Sequence, residues 1–170
     1  MRLKTKTIIA IGVTLLVTAA AFILLKFANK YKTARALVLD WSGATLKTNS
    51  YPKPWAFVGR ATPEDALQSL LYGQSQGDLK IIEESYSPET WAIILDYVRQ
   101  HPKEYPNGLA AANINQRRNV RAFTVLKEKR VSEHETYLQF IEDGGMTTTN
   151  GQPHVSTLHM GKIGGEWKMK

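Results

Sequence analysis

The side chains able to do chemistry in this 170-residue chain are few and scattered. Its histidines are His101, His134, His154 and His159. No two stand four apart, the spacing that puts a metal-ligating pair on one helix face. His154 and His159 are five apart, so along a strand they would point to opposite faces. Proton abstraction would need a buried carboxylate base opposite a hydroxyl or a protonated acid. Asp96 beside Tyr97 is the nearest pair of that kind, but Asp96 lies off the apolar stripe of its helix and reads as solvated. Glu133, Glu135 and Glu142 are expected at strand ends or on an outer face. The chain has no G-x-S-x-G, G-x-x-x-x-G-K or G-x-G-x-x-G, and "GKIGG" has the wrong spacing for a phosphate loop. With no cysteine, disulfides, thiol catalysis and thiolate metal sites drop out together. The sequence therefore nominates no catalytic residue, no metal ligand and no cofactor.

The charge pattern narrows the partners. Of the 22 basic residues, seven (Arg2, Lys4, Lys6, Lys26, Lys30, Lys32, Arg35) lie within residues 1–35, which hold no acid. Residues 36–170 therefore balance at 15 basic and 15 acidic side chains, and the net +7 belongs to the N-terminal segment. A nucleic-acid surface needs a concentrated basic stripe. "QRRNVR" (116–121) and "KEKR" (127–130) are short and read as solvated faces, so no nucleic-acid partner is expected.

Between Lys6 and Lys26 lie nineteen uncharged residues, "TIIAIGVTLLVTAAAFILL". About twenty apolar residues match the hydrocarbon thickness of a bilayer, so residues 7–25 read as a single-pass transmembrane anchor behind a basic tail, residues 1–6. The competing reading is a cleaved signal peptide with Val17-Thr18-Ala19 at the cleavage site, but "AAFILLKF" continues the apolar run past it. Basic residues flank the span on both sides, so the positive-inside count is nearly tied. A short basic region before an apolar run favours a cytoplasmic N-terminus and an extracytoplasmic C-terminal domain. The chain thus reads as a membrane protein of the signal-anchor type.

Residues 26–54 read as juxtamembrane stem and linker. Phe27, Tyr31, Ala34, Val38 and Trp41 recur at helical spacing, and "SGATLKTNSYPKP" (42–54) carries turn residues and two prolines. The globular part is expected over residues 55–170. Thr62-Pro63 and Ser87-Pro88 are helix starts with proline in the first turn, and Asp78 can cap a short helix between them. Ala66, Leu67, Leu70 and Leu71 make one apolar face, Leu79, Ile82 and Tyr86 a second, and Trp91, Ile94, Leu95 and Val98 a third. "NGLAAANINQ" supplies a further short helix.

From residue 119 the apolar period falls to two. "VRAFTVLKEK" (120–129), "HETYLQFIE" (134–142), "HVSTLHMGK" (154–162) and "EWKMK" (166–170) alternate as strands. Phe123, Val125, Leu138, Phe140, Leu158, Met160, Trp167 and Met169 are expected beneath the helices. Short helices packed on one face of an antiparallel meander make the fold class α+β.

The order "TPEDALQSLLYGQSQGDL…SPE", followed by "VRAFTVLKEKRVSEHETYLQF…GGEWKM", resembles small bacterial extracytoplasmic proteins of the nuclear transport factor 2-like, or cystatin-like, cone class. A similar segment occurs as an appendage on some extracytoplasmic-function sigma factors. The resemblance covers about residues 55–170 and rests on fold motifs: caps, a Gly-Asp helix junction and a terminal Gly-Gly-Glu-Trp-Lys hairpin. The class includes isomerases, cyclases, dehydratases and non-catalytic binding modules, so the resemblance implies a fold rather than an activity. Short helices and few strands make this a reduced cone and do not imply a deep cavity.

Two function classes follow. The first is a membrane-anchored, non-enzymatic binding or assembly domain; the second is a weakly marked small-ligand enzyme, isomerase or dehydratase in type. For the first, the outer sheet face supplies the candidate site: Tyr137, Gln139, Ile141, Val155, Thr157 and His159. With Ala122, Thr124 and Leu126 beside them, these residues are less charged than a solvated sheet face. A homodimer or a separate envelope protein would be the partner.

Overall fold

The computed structural model describes residues 39–170 of the chain, whose internal contacts separate Ser42–Lys170 as one unit. The expected basic tail, the anchor at 7–25 and the stem up to residue 38 lie outside the described residues. No helix among the described residues is long and apolar enough to cross a membrane.

The unit is α+β. Two short strands, β1 (Thr45–Leu46) and β2 (Ser50–Pro52), precede four helices: α1 (Pro63–Gln76), α2 (Leu79–Glu84), α3 (Pro88–Gln100) and α4 (Gly108–Arg117). Four strands follow, β3 (Ala122–Ser132), β4 (Glu135–Asp143), β5 (Ser156–Ile163) and β6 (Glu166–Met169). The sheet order is β1-β3-β4-β5-β6, with β2 also on β3 and every pairing antiparallel. Thr45–Leu46 and Ser50–Pro52, read from sequence as linker, are thus edge strands. Their backbone bonds run to β3, including Lys47 N to Leu126 O (2.8 Å) and Val125 N to Asn49 O (3.0 Å).

The helix starts follow local chemistry. At α1, the Thr62 side chain accepts from Asp65 N and Asp65 reaches back to Thr62 N, a reciprocal cap, with Pro63 in the first turn. Gly77 ends α1 at φ 67°, a left-handed conformation that Gly adopts without steric cost. Asp78 then accepts from Lys80 N and Ile81 N to start α2, and Ser87 accepts from Thr90 N to start α3.

α1 sets Ala66, Leu67, Leu70 and Leu71 against Phe123, Val125, Leu138, Phe140, Met160, Trp167 and Met169 in a single core. Tyr51 stacks on Phe123 (centroids 4.5 Å, 9°), and Trp55 is buried beside them. The alternation expected for β4 to β6 matches the observed faces. Three helical positions differ: Leu79 and Leu95 are exposed and Val98 only half-buried. α3 touches the body mainly through its first turns, so its apolar stripe is not fully used.

β3 carries the largest departure from a regular pattern. A register shift between Val125 and Lys127 restarts the alternation one residue out of phase. Glu128 then faces Leu138 on the inner side, while Lys127 and Lys129 stand opposite Gln139 and Tyr137 on the outer side.

Candidate functional site

Between α3 and α4 lies a crevice of ≈ 300 Å³. Helix α4 contributes Leu109, Asn113, Gln116 and Arg117, spaced so that one face carries all four. α1 contributes Gln74, α2 Ile82, and α3 Trp91 and Ile94. Tyr86 enters from the junction of α2 and α3. That junction is pinned to the last strand: Met169 N donates to Ser85 O (2.9 Å) and Ser87 N to Met169 O (2.8 Å). Tyr86 lies near-parallel to Trp91, with ring centroids 6.3 Å apart.

Arg117 organises the polar side. Its Nε donates to Gln74 Oε1 (2.8 Å), its Nη1 pairs with Glu142 of β4, and its backbone carbonyl accepts from Lys53 Nζ (2.9 Å). Glu142, next to the end of β4, faces inward with its side chain largely covered; of the two places expected for it, strand end or outer face, it takes the strand end. It faces inward because its register is opposite Phe123, an inner-face position. Burial raises the pKa of the Tyr86 phenol, and the Arg117 charge partly opposes that rise. The phenol is therefore a protonated donor at neutral pH.

A second crevice of ≈ 560 Å³ shares Tyr86 and Trp91. It is edged by Lys80, Glu83, Glu84 and Lys168, and its apolar wall is Trp91 with Leu95. Beneath α1, by contrast, the space is filled: Leu67, Leu71, Phe123, Leu138 and Met160 interlock there with almost no exposure.

Two further charged groups are built into the fold. Lys47 sits between Glu64 Oε1 (2.9 Å) and Glu128 Oε2 (3.0 Å). Those carboxylate side chains are only 11% and 10% exposed, and Glu128 also meets Arg130 (3.2 Å) and Thr136 (3.4 Å). Its hydrogen bond to Glu64 raises the Lys47 pKa against the opposing effect of burial. Arg60, almost fully covered, reaches Glu84 (3.3 Å), Glu166 (3.7 Å) and the Phe57 ring (5.3 Å).

The outer sheet face holds most of the sequence-nominated site. Tyr137 and His159 are cross-strand partners whose rings stack at 4.4 Å and 8°, and His159 Nε2 lies 2.5 Å from Glu135. Gln139 pairs with Thr157, and Ile141 stands opposite Thr124. Val155 lies before β5 begins and is exposed. The phase shift in β3 adds Lys127 and Lys129 to this face, making it more charged than the sequence implied. Asp96 is exposed and accepts from Gln100 (2.6 Å), while Tyr97 donates to Glu104 (3.1 Å), which raises its pKa. The two do not converge on a cavity. Among the described residues no group of three metal-ligating side chains comes together.

No family model matches the chain, and no curated protein matches it. Two solved structures are similar over part of it. One is the solution structure of a SEC-C motif-containing protein from Rhodopseudomonas palustris, at TM-score 0.44 and 19% identity, covering 65% of this chain and 76% of that one. The other is the crystal structure of a Campylobacter jejuni protein that carries the name NTF2-like transpeptidase. It aligns at TM-score 0.38 and 14% identity, covering 64% of this chain and 97% of that one. Likenesses at this level carry no argument about what the chain binds or does.

Proposed function

We propose that this chain is a membrane-held, non-enzymatic binding domain with a reduced cone-like fold, and that it takes a small ligand in the crevice between α3 and α4. The observation that carries this reading is the chemistry of the crevice wall. Amides, a phenol and a guanidinium face the apolar side chains of Ile82, Trp91, Ile94 and Leu109. Such groups orient a ligand but supply no base near neutral pH. The filled space beneath α1 points the same way, since an isomerase- or dehydratase-type cone would put its reacting carboxylate and substrate there. Attachment through residues 7–25 rests on their uncharged run alone. The orientation that places the domain outside the cytoplasm follows from the basic residues before it.

Two measurements test the proposal. Membranes washed with alkaline carbonate retain the chain in the pellet, and its release removes the anchor from the reading. A fragment-library screen by saturation-transfer NMR on the full chain in nanodiscs finds compounds whose signals vanish when Ile94→Trp fills the crevice. Equal responses from both proteins defeat the crevice as the binding site.

A further inference from the structure

The polar wall of the crevice has hydrogen-bonding capacity left over. Gln74, Asn113 and Arg117 are only 7%, 7% and 8% exposed. Arg117 uses Nε and Nη1, and Gln74 uses its oxygen, so Arg117 Nη2 and the Gln74 NH₂ have no acceptor among the described residues. The Asn113 amide and the Tyr86 hydroxyl likewise have no hydrogen-bond partner among them. Among the described residues the one side-chain polar atom that is both sealed from solvent and unpartnered is Arg60 Nε, which is not part of the crevice lining. The free groups of the crevice are therefore open to whatever fills it.

Because these groups are open to water, a ligand that displaces it must supply acceptors of its own in the same places. The spare groups are mostly donors: a guanidinium N–H, two amide NH₂ groups and a phenol O–H. Glu142, outside the crevice lining, already balances the Arg117 charge, so an acid there is held through these N–H and O–H donors rather than by net positive charge. The opposite wall is Trp91, Ile94 and Leu109, an apolar surface with one large ring. A volume of ≈ 300 Å³ is at the small end of ligand pockets and holds on the order of ten to fifteen non-hydrogen atoms.

We propose that the crevice binds a small amphipathic carboxylate, its acid group held by Arg117, Gln74 and Asn113 and its aromatic or branched body against Trp91, Ile94 and Leu109. This rests on the reading of the crevice as the binding site. Charge-assisted hydrogen bonds of this kind separate an acid from its neutral isostere by about tenfold or more.

The test uses the full chain in nanodiscs, with empty nanodiscs as the blank, and 3-phenylpropionate against 3-phenylpropionamide as probes. Saturation-transfer titration gives the acid a Kd on the order of 1 mM or tighter, and the amide one at least about tenfold weaker. Asn113→Leu weakens the acid about tenfold while the far-ultraviolet circular dichroism is unchanged. If acid and amide bind equally and Ile94→Trp abolishes both, the crevice is a site but not one for carboxylates, and this inference falls alone. If neither probe binds, or Ile94→Trp changes nothing, the inference and the crevice reading fall together.

Discussion

Replacing Lys47 by Met removes one ammonium and keeps most of the volume of its stem. The loss follows from what that ammonium touches. It bridges Glu64 at 2.9 Å and Glu128 at 3.0 Å, both nearly covered, so two charge-assisted hydrogen bonds disappear at once. Such bonds contribute about 1.5–3 kcal/mol each, an upper sum of roughly 3–6 kcal/mol. Two effects reduce it. Glu128 keeps Arg130 and Thr136, and the Lys47 side chain is 25% exposed, so water can enter where it stood. The expected net cost is about 2–3 kcal/mol at pH 7, read by urea denaturation of the full chain with tryptophan fluorescence. The pH dependence has a definite sign. Lys47 binds its proton more tightly folded than unfolded, chiefly through Glu64, against a reference value of 10.5. The advantage of the wild type over Lys47→Met is therefore constant below that value and shrinks as pH rises through the higher folded pKa. Adding Glu128→Gln to Lys47→Met restores part of the loss, because a neutral amide needs no counter-charge. A cost below about 0.5 kcal/mol, or a gap that does not close in alkali, refutes this account of the cluster.

Three other outcomes are expected. Trp167→Ala, at a side chain 4% exposed on the inner face of β6, lowers unfolding free energy by about 3–5 kcal/mol in the same assay, and a loss under about 1 kcal/mol contradicts its packing. A fragment of residues 42–170 is more stable than one of 55–170, since the shorter loses both edge strands, the Tyr51 stack on Phe123 and Lys47; equal melting temperatures by circular dichroism would show that β1 and β2 contribute nothing. Tyr137→Glu on the outer sheet face leaves circular dichroism unchanged but abolishes self-association by analytical ultracentrifugation or capture of an envelope partner. A wild type that neither self-associates nor captures a partner which the substitution alters removes that face as a contact surface.

What could be read in the sequence was local. Thr62, Asp78 and Ser87 announce their helices because a cap bonds to backbone two or three residues away. The alternation of β4 to β6 is equally local. The register shift after Val125 is not, because nothing in "VRAFTVLKEK" marks the extra residue, and one slip turns Glu128 inward and two lysines outward. Thr45–Leu46 and Ser50–Pro52 are too short to show an alternation, and they become strands only because β3 offers them an open edge. The crevice was half legible. Leu109, Asn113, Gln116 and Arg117 fall at i, i+4, i+7 and i+8, a stripe whose polar members sit where a core stripe should be apolar. Gln74, Tyr86 and Glu142 join them only through tertiary packing, which no spacing records.

The two margins of the sheet also bear on how copies of this chain can meet. β3 is paired by β2 over Ala122–Thr124 and by β1 over Lys127–Glu128, so the margin on that side belongs to two strands of two and three residues. β6 is covered by Trp167 N to Arg60 O and by the pair of bonds from Met169 to Ser85 and Ser87. A margin whose N–H and C=O groups are already spoken for cannot template another strand, which is the usual entry to cross-strand polymerisation and domain exchange. With the β6 margin closed and the other reduced to two short strands, contact between two copies through the sheet falls mainly to the side chains of its outer face.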